Sequence, residues 1–250
     1  MDNARAFFKE NGFYLAKGVF PPDKIAELEG EFDRIVAQLG KYGEDTLSRG
    51  LIGTRNVHQY SGIWMSTLLD SRFLDVAELF LGPDIVLNHS TLFEKRKSDN
   101  KTSFFMHQDW SYLPTQTNTM IAGMIHLGPA TVENGCLRVF PNSHKHGRIE
   151  NSRESNEDLK QRYPFEESTP IVAEPGDVTF FDYFIVHGSE TSRSDIPRKV
   201  VIVRMFSGKD KKEDLYQYCE NIVLRGWNYH TKASTARKVV LCPEDDKPVG

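Results

Sequence analysis

Hydrophobic positions change their period about a third of the way along this chain. After Asp23, the residues Ile25, Leu28, Phe32, Ile35, Val36 and Leu39 recur three or four apart with charged residues between them. That is the spacing of one helix face, and Asp23 is placed to cap it. A second helix is predicted from about Ser71 to Leu81, stopped by the sequence GPD. Beyond it the apolar residues fall into short runs: IVLNHSTLFEK, SFFMH, TMIAGMIHL, CLRVFP, PIVA, DVTFFDY and KVVIVRMF. Turn signals such as ENG, PNS and EPGD separate them. Many short strands without intervening helices predict a mainly β fold with flanking helices, a double-stranded β-helix of the jelly-roll, cupin-like kind.

The expected organisation is one domain over residues 1–250, helical in its N-terminal part to about residue 82. Residues 150–170 interrupt the strand pattern with polar and charged side chains. They are read as a surface insertion acting as a mobile lid with a short helix.

Composition narrows the function. The 250 residues include 31 basic and 35 acidic side chains, a net charge of −4, and no long basic run, so a nucleic-acid partner is not expected. No unbroken apolar stretch marks a signal peptide or a membrane span, so the expected location is cytoplasmic with no membrane partner. Cys136, Cys219 and Cys242 are odd in number and far apart. They read as reduced thiols rather than a disulfide framework or a zinc knuckle.

Candidate chemistry starts in FFMHQDWSYLP, residues 104–114. In an extended chain, successive side chains alternate faces, so His107 and Asp109 project together and Gln108 away from them. An HxD pair alone is weak evidence, and a hydrogen-bonded pair at a strand end explains it equally well. A third candidate, His187, ends an apolar run at the sequence GS. Two histidines and one carboxylate form the facial triad suited to non-haem Fe(II) and oxygen chemistry.

With these residues in place the chain resembles the phytanoyl-CoA dioxygenase family of Fe(II)- and 2-oxoglutarate-dependent oxygenases. The resemblance runs through FFKENGFYLAKGVFPPDKIAELEGEFDRI, MHQDWSYL, VENGCLRVFPNSHKHG, EPGDVTFFDYFIVHGS and IPRKVVIVRMF. It implies His107, Asp109 and His187 as iron ligands and catalytic centre, and Arg198 as the anchor of 2-oxoglutarate. A planar guanidinium suits that task, because it meets a carboxylate bidentately. Lys95 and Thr119 are further candidates for contact with the co-substrate. Relatives often carry a tryptophan in the strand written here MIAGMIHL, and Ala122 and Gly123 are expected to open space there. Asn142 replaces a turn glycine, and asparagine tolerates the left-handed conformation. His144 and His146 are assigned to that turn rather than to a metal.

The implied activity is hydroxylation of an unactivated C–H bond in a small metabolite or natural-product intermediate. It would use Fe(II), 2-oxoglutarate and O2 and release succinate and CO2. Desaturation, cyclisation and epimerisation are alternative outcomes of the same chemistry. A carboxylate at Asp109 argues against a halogenase, in which a small residue makes room for chloride. A non-catalytic metal-binding jelly-roll module is the alternative from another class, and Arg198 argues against it. Trp110, Tyr112, His89 and Phe184 are candidates for an aromatic substrate pocket. Strand parity makes one more prediction. Val200, Ile202 and Arg204 share the face of Arg198, so Arg204 points inward and needs an acidic partner or an anionic ligand.

Overall fold

A computed structural model describes residues 2–41, 51–98, 103–150, 157–213 and 220–230. Its helices are α1 (Asp2–Asn11), α2 (Pro22–Lys41), α3 (Val57–Tyr60), α4 (Gly62–Leu68), α5 (Ser71–Leu81) and α6 (Glu157–Arg162). The strands β1 to β5 are Phe13–Ala16, Leu51–Arg55, Ile85–Lys95, Phe104–His107 and Ile121–His126. Strands β6 to β11 are Leu137–Val139, Thr169–Ile171, Val178–Asp182, His187–Ser189, Arg198–Ser207 and Ile222–Arg225. Two sheets result. The larger runs β1-β8-β5-β10-β3-β11 with β2 also paired to β3, and the smaller runs β4-β9-β6-β7. Each strand pairing is antiparallel. The protein is a jelly roll with flanking helices, as the strand pattern predicts.

Both faces of the larger sheet are covered, which is why its strands read as continuous apolar runs rather than alternating ones. One face packs Ile125, Phe180, Val201 and Val203 against Phe32 of α2, Trp64 of α4 and Phe73 of α5. The opposite face sets Ala122, Met124, Phe181, Val200 and Ile202 against Leu137, Val139 and Ile171 of the smaller sheet. The alternation along β10 is therefore visible in packing: even-numbered residues face the space between the sheets and odd-numbered ones face the helices. The register shift against β3 falls between Arg204 and Met205, beyond the stretch from Arg198 to Arg204.

The second predicted helix has the expected bounds. Asp70 caps it by accepting from the Arg72 backbone N–H, and Gly82 at φ 81° ends it. Helix α2 starts at Pro22, two residues earlier than a cap at Asp23 implies. Pro22 occupies the first turn, where its missing N–H costs nothing, and Asp23 lies inside that turn rather than capping it. Asn142 adopts φ 69°, as expected of the turn.

The anticipated space at Gly123 is filled. A Cβ there would lie 2.9 Å from the Phe73 ring, so the glycine brings α5 close to the sheet. The side chain that this strand sends toward the inter-sheet cavity is Met124. In the anticipated lid, residues 151–156 lie outside the described residues, and the short helix is α6. Its Leu159, with Tyr163 just past its end, packs against Met106 and Val186. Cys136 is buried and unbridged, and Cys219 and Cys242 lie outside the described residues. No helix among the described residues is long and apolar enough to cross a membrane.

Candidate active site

Strands β4 and β9 pair so that His107 and His187 stand directly opposite each other, with ring centroids 4.3 Å apart. Nδ1 of His107 lies 2.7 Å from the Phe105 carbonyl, and Nδ1 of His187 lies 3.0 Å from that of Ile185. A carbonyl oxygen only accepts, so each Nδ1 carries the hydrogen, and in the neutral ring Nε2 keeps its lone pair. Both Nε2 atoms converge on Asp109 Oδ1, at 3.7 and 3.8 Å. Burial, and then the neighbouring His107, push the His187 pKa down to about 4, so its ring is neutral near pH 7.

Asp109 reaches this point by a route that simple alternation does not describe. Strand β4 ends at His107, and Asp109 opens a 3₁₀ turn through Ser111. Gln108 holds the turn in place. Its amide donates to the Gly147 and Phe184 carbonyls and accepts from Trp110 Nε1 and the Ile149 N–H. All four hydrogen-bonding positions of the buried amide are used. Sequence reasoning set Gln108 aside as the residue between two ligands, and nothing in the local pattern announced these distant partners.

The predicted inward direction of Arg204 holds, and its acidic partner is Asp109. Nε donates to Oδ2 at 3.0 Å and Nη2 to Oδ1 at 3.3 Å. Burial would raise the Asp109 pKa, but the Arg204 cation overcomes that and holds it well below the usual carboxylate range. Across the strand pair from Arg204 stands His89. Burial and the same guanidinium push its pKa down to about 3.

A cavity of about 70 Å³ extends from the two histidines to Arg198 and is walled by Phe93, Phe104, Met124, Leu137, Phe181 and Ile202. Arg198 is only 4% exposed. Its Nη1 donates to the Gly135 carbonyl at 2.5 Å, its buried Nε has no partner, and burial lowers its pKa to about 10. A buried guanidinium with one neutral acceptor is poorly compensated, and an anion delivered through the cavity would complete it.

Lys95 is the last residue of β3. It is fully buried opposite Arg198, with Nζ donating to Ser189 Oγ at 2.6 Å and to the Glu190 carbonyl at 2.7 Å. Burial, reinforced by Arg198, brings its pKa down to about 6. Thr119 is placed elsewhere. Its hydroxyl donates to Asp210 and accepts from the Ser207 N–H. It precedes β5 rather than lying on it, and it is not among the cavity-lining residues, so no co-substrate contact is assigned to it. None of the four residues expected to form an aromatic pocket, Trp110, Tyr112, His89 and Phe184, lines this cavity. Trp110 and Phe184 pack with Tyr183 and Phe206, and only Tyr112, 41% exposed, sets its ring beside His107.

His107, Asp109 and His187 each offer one ligand atom within 4.8 Å of the others. The donor set, the lone-pair orientation of both imidazoles and the ionised carboxylate fit a non-haem Fe(II) ion. The incompletely partnered Arg198 at the far end of the cavity fits a carboxylate.

Comparison with known proteins points the same way. The mouse protein named phytanoyl-CoA dioxygenase, peroxisomal, is 26% identical over 224 residues, which cover 79% of this chain and 65% of the relative. The chain thus spans somewhat under two thirds of that relative's length. Among solved structures, EctD from S. alaskensis superposes with a TM-score of 0.73 at 21% identity, covering 90% of this chain and 86% of that one. The carbocyclase SnoK from nogalamycin biosynthesis gives a TM-score of 0.72 at 20% identity, covering 85% and 86%. The family model described as phytanoyl-CoA dioxygenase (PhyH) matches residues 8–200. A match reaching from the first helix past Arg198, over most of the chain, makes this protein a member of the phytanoyl-CoA dioxygenase family.

Proposed function

We propose that this protein is an Fe(II)- and 2-oxoglutarate-dependent oxygenase that hydroxylates an unactivated C–H bond of a small molecule. The observation that carries the reading is a single cavity with a His–Asp–His cluster at one end and a buried, incompletely paired arginine at the other. His107, Asp109 and His187 would hold the iron, and Arg198 would receive the distal carboxylate of 2-oxoglutarate. EctD, a relative in fold, has structures described with bound Fe and with 2-oxoglutarate and 5-hydroxyectoine. Bound iron, 2-oxoglutarate and O2 together supply oxidation of a C–H bond coupled to release of succinate and CO2.

This chain's own residues do the rest. The two Nδ1–H bonds to backbone carbonyls keep both imidazoles in the ligating tautomer and fix their planes. The apolar walls from Phe93 to Ile202 limit the water around the oxidation site. Lys95 buttresses the anchor end by tying the β3 end to Ser189 and Glu190, and its charge is poised to rise when an anion arrives. A non-catalytic metal-binding module would not need a buried cation at the end of the cavity, which favours the enzyme reading. Cyclisation or epimerisation would use the same residues, since SnoK is named a carbocyclase and SnoN an epimerase.

The test is succinate release from 2-oxoglutarate with Fe(II) and O2 across a metabolite panel, with the product identified by mass spectrometry. His187→Ala should reduce substrate-dependent succinate to the metal-free background. Full activity in that variant would remove His187 from the centre.

A further inference from the structure

The cluster that would hold iron includes a fourth side chain. Arg204 reaches Asp109 from β10, 95 residues further along the chain, and engages its two carboxylate oxygens unequally. Oδ1 is the oxygen nearest both imidazole Nε2 atoms. Oδ2 accepts from Nε at 3.0 Å and also lies 3.0 Å from Nη2, whose own hydrogen bond goes to Oδ1 at the longer distance of 3.3 Å. A carboxylate can ligate a metal through one oxygen or chelate it through both, and chelation would occupy one more coordination position. The Arg204 fork holds Oδ2 more closely than Oδ1 and so leaves Oδ1 the better placed to ligate. Arg204 is itself held in place. It is 14% exposed at the side chain, it stands between His89 and Ala122 on the flanking strands, and the pleat that aims it inward is unbroken back to Arg198.

From this geometry we infer that Arg204 is a positioning residue for the metal centre, holding the Asp109 carboxylate at both oxygens, Oδ2 the more closely, so that it turns Oδ1 toward the two imidazoles. The inference rests on the metal-binding reading above and adds to it a residue that acts on the metal only through Asp109. An ordinary internal salt bridge would stabilise the fold without affecting the metal in this way. The two differ in whether the effect of Arg204 on metal affinity depends on Asp109.

Calorimetric titration of the metal-free protein with Co(II), without co-substrate, separates them. Arg204→Met should weaken Co(II) binding about 10- to 100-fold, the usual size of a lost partner to a metal ligand. Arg204→Lys, which keeps the charge but not the fork, should recover part of that loss. In an Asp109→Ala background, with the titration carried to millimolar Co(II), Arg204→Met should change the affinity less than about twofold. Far-UV circular dichroism confirms that each variant is folded. If Arg204→Met is not, the cycle is run with Arg204→Lys, where a several-fold loss that vanishes with Asp109 is expected. Unaltered Co(II) affinity in the folded Arg204 variant, or an equal loss with and without Asp109, would overturn the proposal while leaving the metal site in place. Failure of the unmodified protein to bind Co(II) would remove the metal site and this role together.

Discussion

Strand β10 sends one arginine to each end of the cavity, and the two ends treat the same side chain in opposite ways. At the metal end Arg204 meets a carboxylate with two nitrogens and forms a closed pair with Asp109. At the anchor end Arg198 is the more deeply buried of the two, yet it has one backbone carbonyl for a partner and a buried Nε with none. Lys95 beside it, its pKa brought down to about 6 by burial, supplies no counter-ion. The lesson concerns what each end is built for. A paired buried charge is finished within the fold and serves to hold a neighbour in place. An unpaired one leaves an electrostatic demand that a ligand can satisfy.

Removing each arginine should break this symmetry most plainly in stability. Arg204→Met strands a buried carboxylate and should cost the metal-free protein roughly 3–5 kcal/mol, read from denaturant unfolding. Arg198→Met removes an unpaired cation and should leave the same curve almost unmoved. Equal losses would mean that Arg198 has a counter-ion in solution. The co-substrate should reverse the ranking. Arg198→Gln should raise the apparent 2-oxoglutarate requirement by about 2–5 kcal/mol, some 30-fold or more, with little change in the substrate requirement. An unchanged 2-oxoglutarate titration would move the anchor to Lys95.

Gly135 offers a smaller perturbation confined to the anchor end. It adopts φ 71°, and a Cβ there would lie 2.2 Å from the Glu190 carbonyl that also accepts from Lys95. Gly135→Ala should cost about 1–3 kcal/mol from the backbone conformation alone. It should weaken 2-oxoglutarate binding more than Co(II) binding, as separate titrations would show.

The effect smallest at neutral pH is a change in acid sensitivity. His187 at the metal end, with a pKa of about 4, and His89 and His126, each at about 3, are buried and neutral. Between about pH 6.5 and 4 the unfolded chain holds protons on these residues that the folded chain does not. Stability therefore falls as pH falls through this window, by up to about 1.4 kcal/mol per pH unit for each histidine. His126→Gln should make the slope shallower by one proton in equilibrium unfolding measured at several pH values. An unaltered slope would show that His126 titrates normally in the folded protein.

How much of this was legible beforehand depends on the distance over which each feature is decided. The switch from helical to strand periodicity, the bounds of α5 and the inward parity of Arg204 come from spacings of a few residues, and the chain states them directly. The identity of the triad was legible because ligand chemistry restricts residue type and because the family resemblance supplies the role. The fate of Lys95, Thr119 and Gly123 was not legible. A lysine at a strand end is exposed or buried according to what lies beyond the strand, and here Ser189 and Glu190 close over it. A threonine near a strand contacts a ligand or a turn according to where that strand begins, and β5 begins two residues too late for Thr119 to lie on it.

By itself, then, the sequence determined the mainly β architecture, the histidines and carboxylate available for a metal, and the placement of two arginines on one face of one strand. The tertiary structure decided which of these groups meet. Asp109 joins His187 because β4 pairs with β9, and Arg204 finds Asp109 rather than a ligand because β10 carries it to the metal end. Arg198 is left incompletely paired because no acidic side chain is brought to its end of the cavity among the described residues. Local spacing cannot encode such outcomes, since partners 95 residues apart are brought together by sheet pairing, and the resulting burial decides whether a charge is partnered or left to bind.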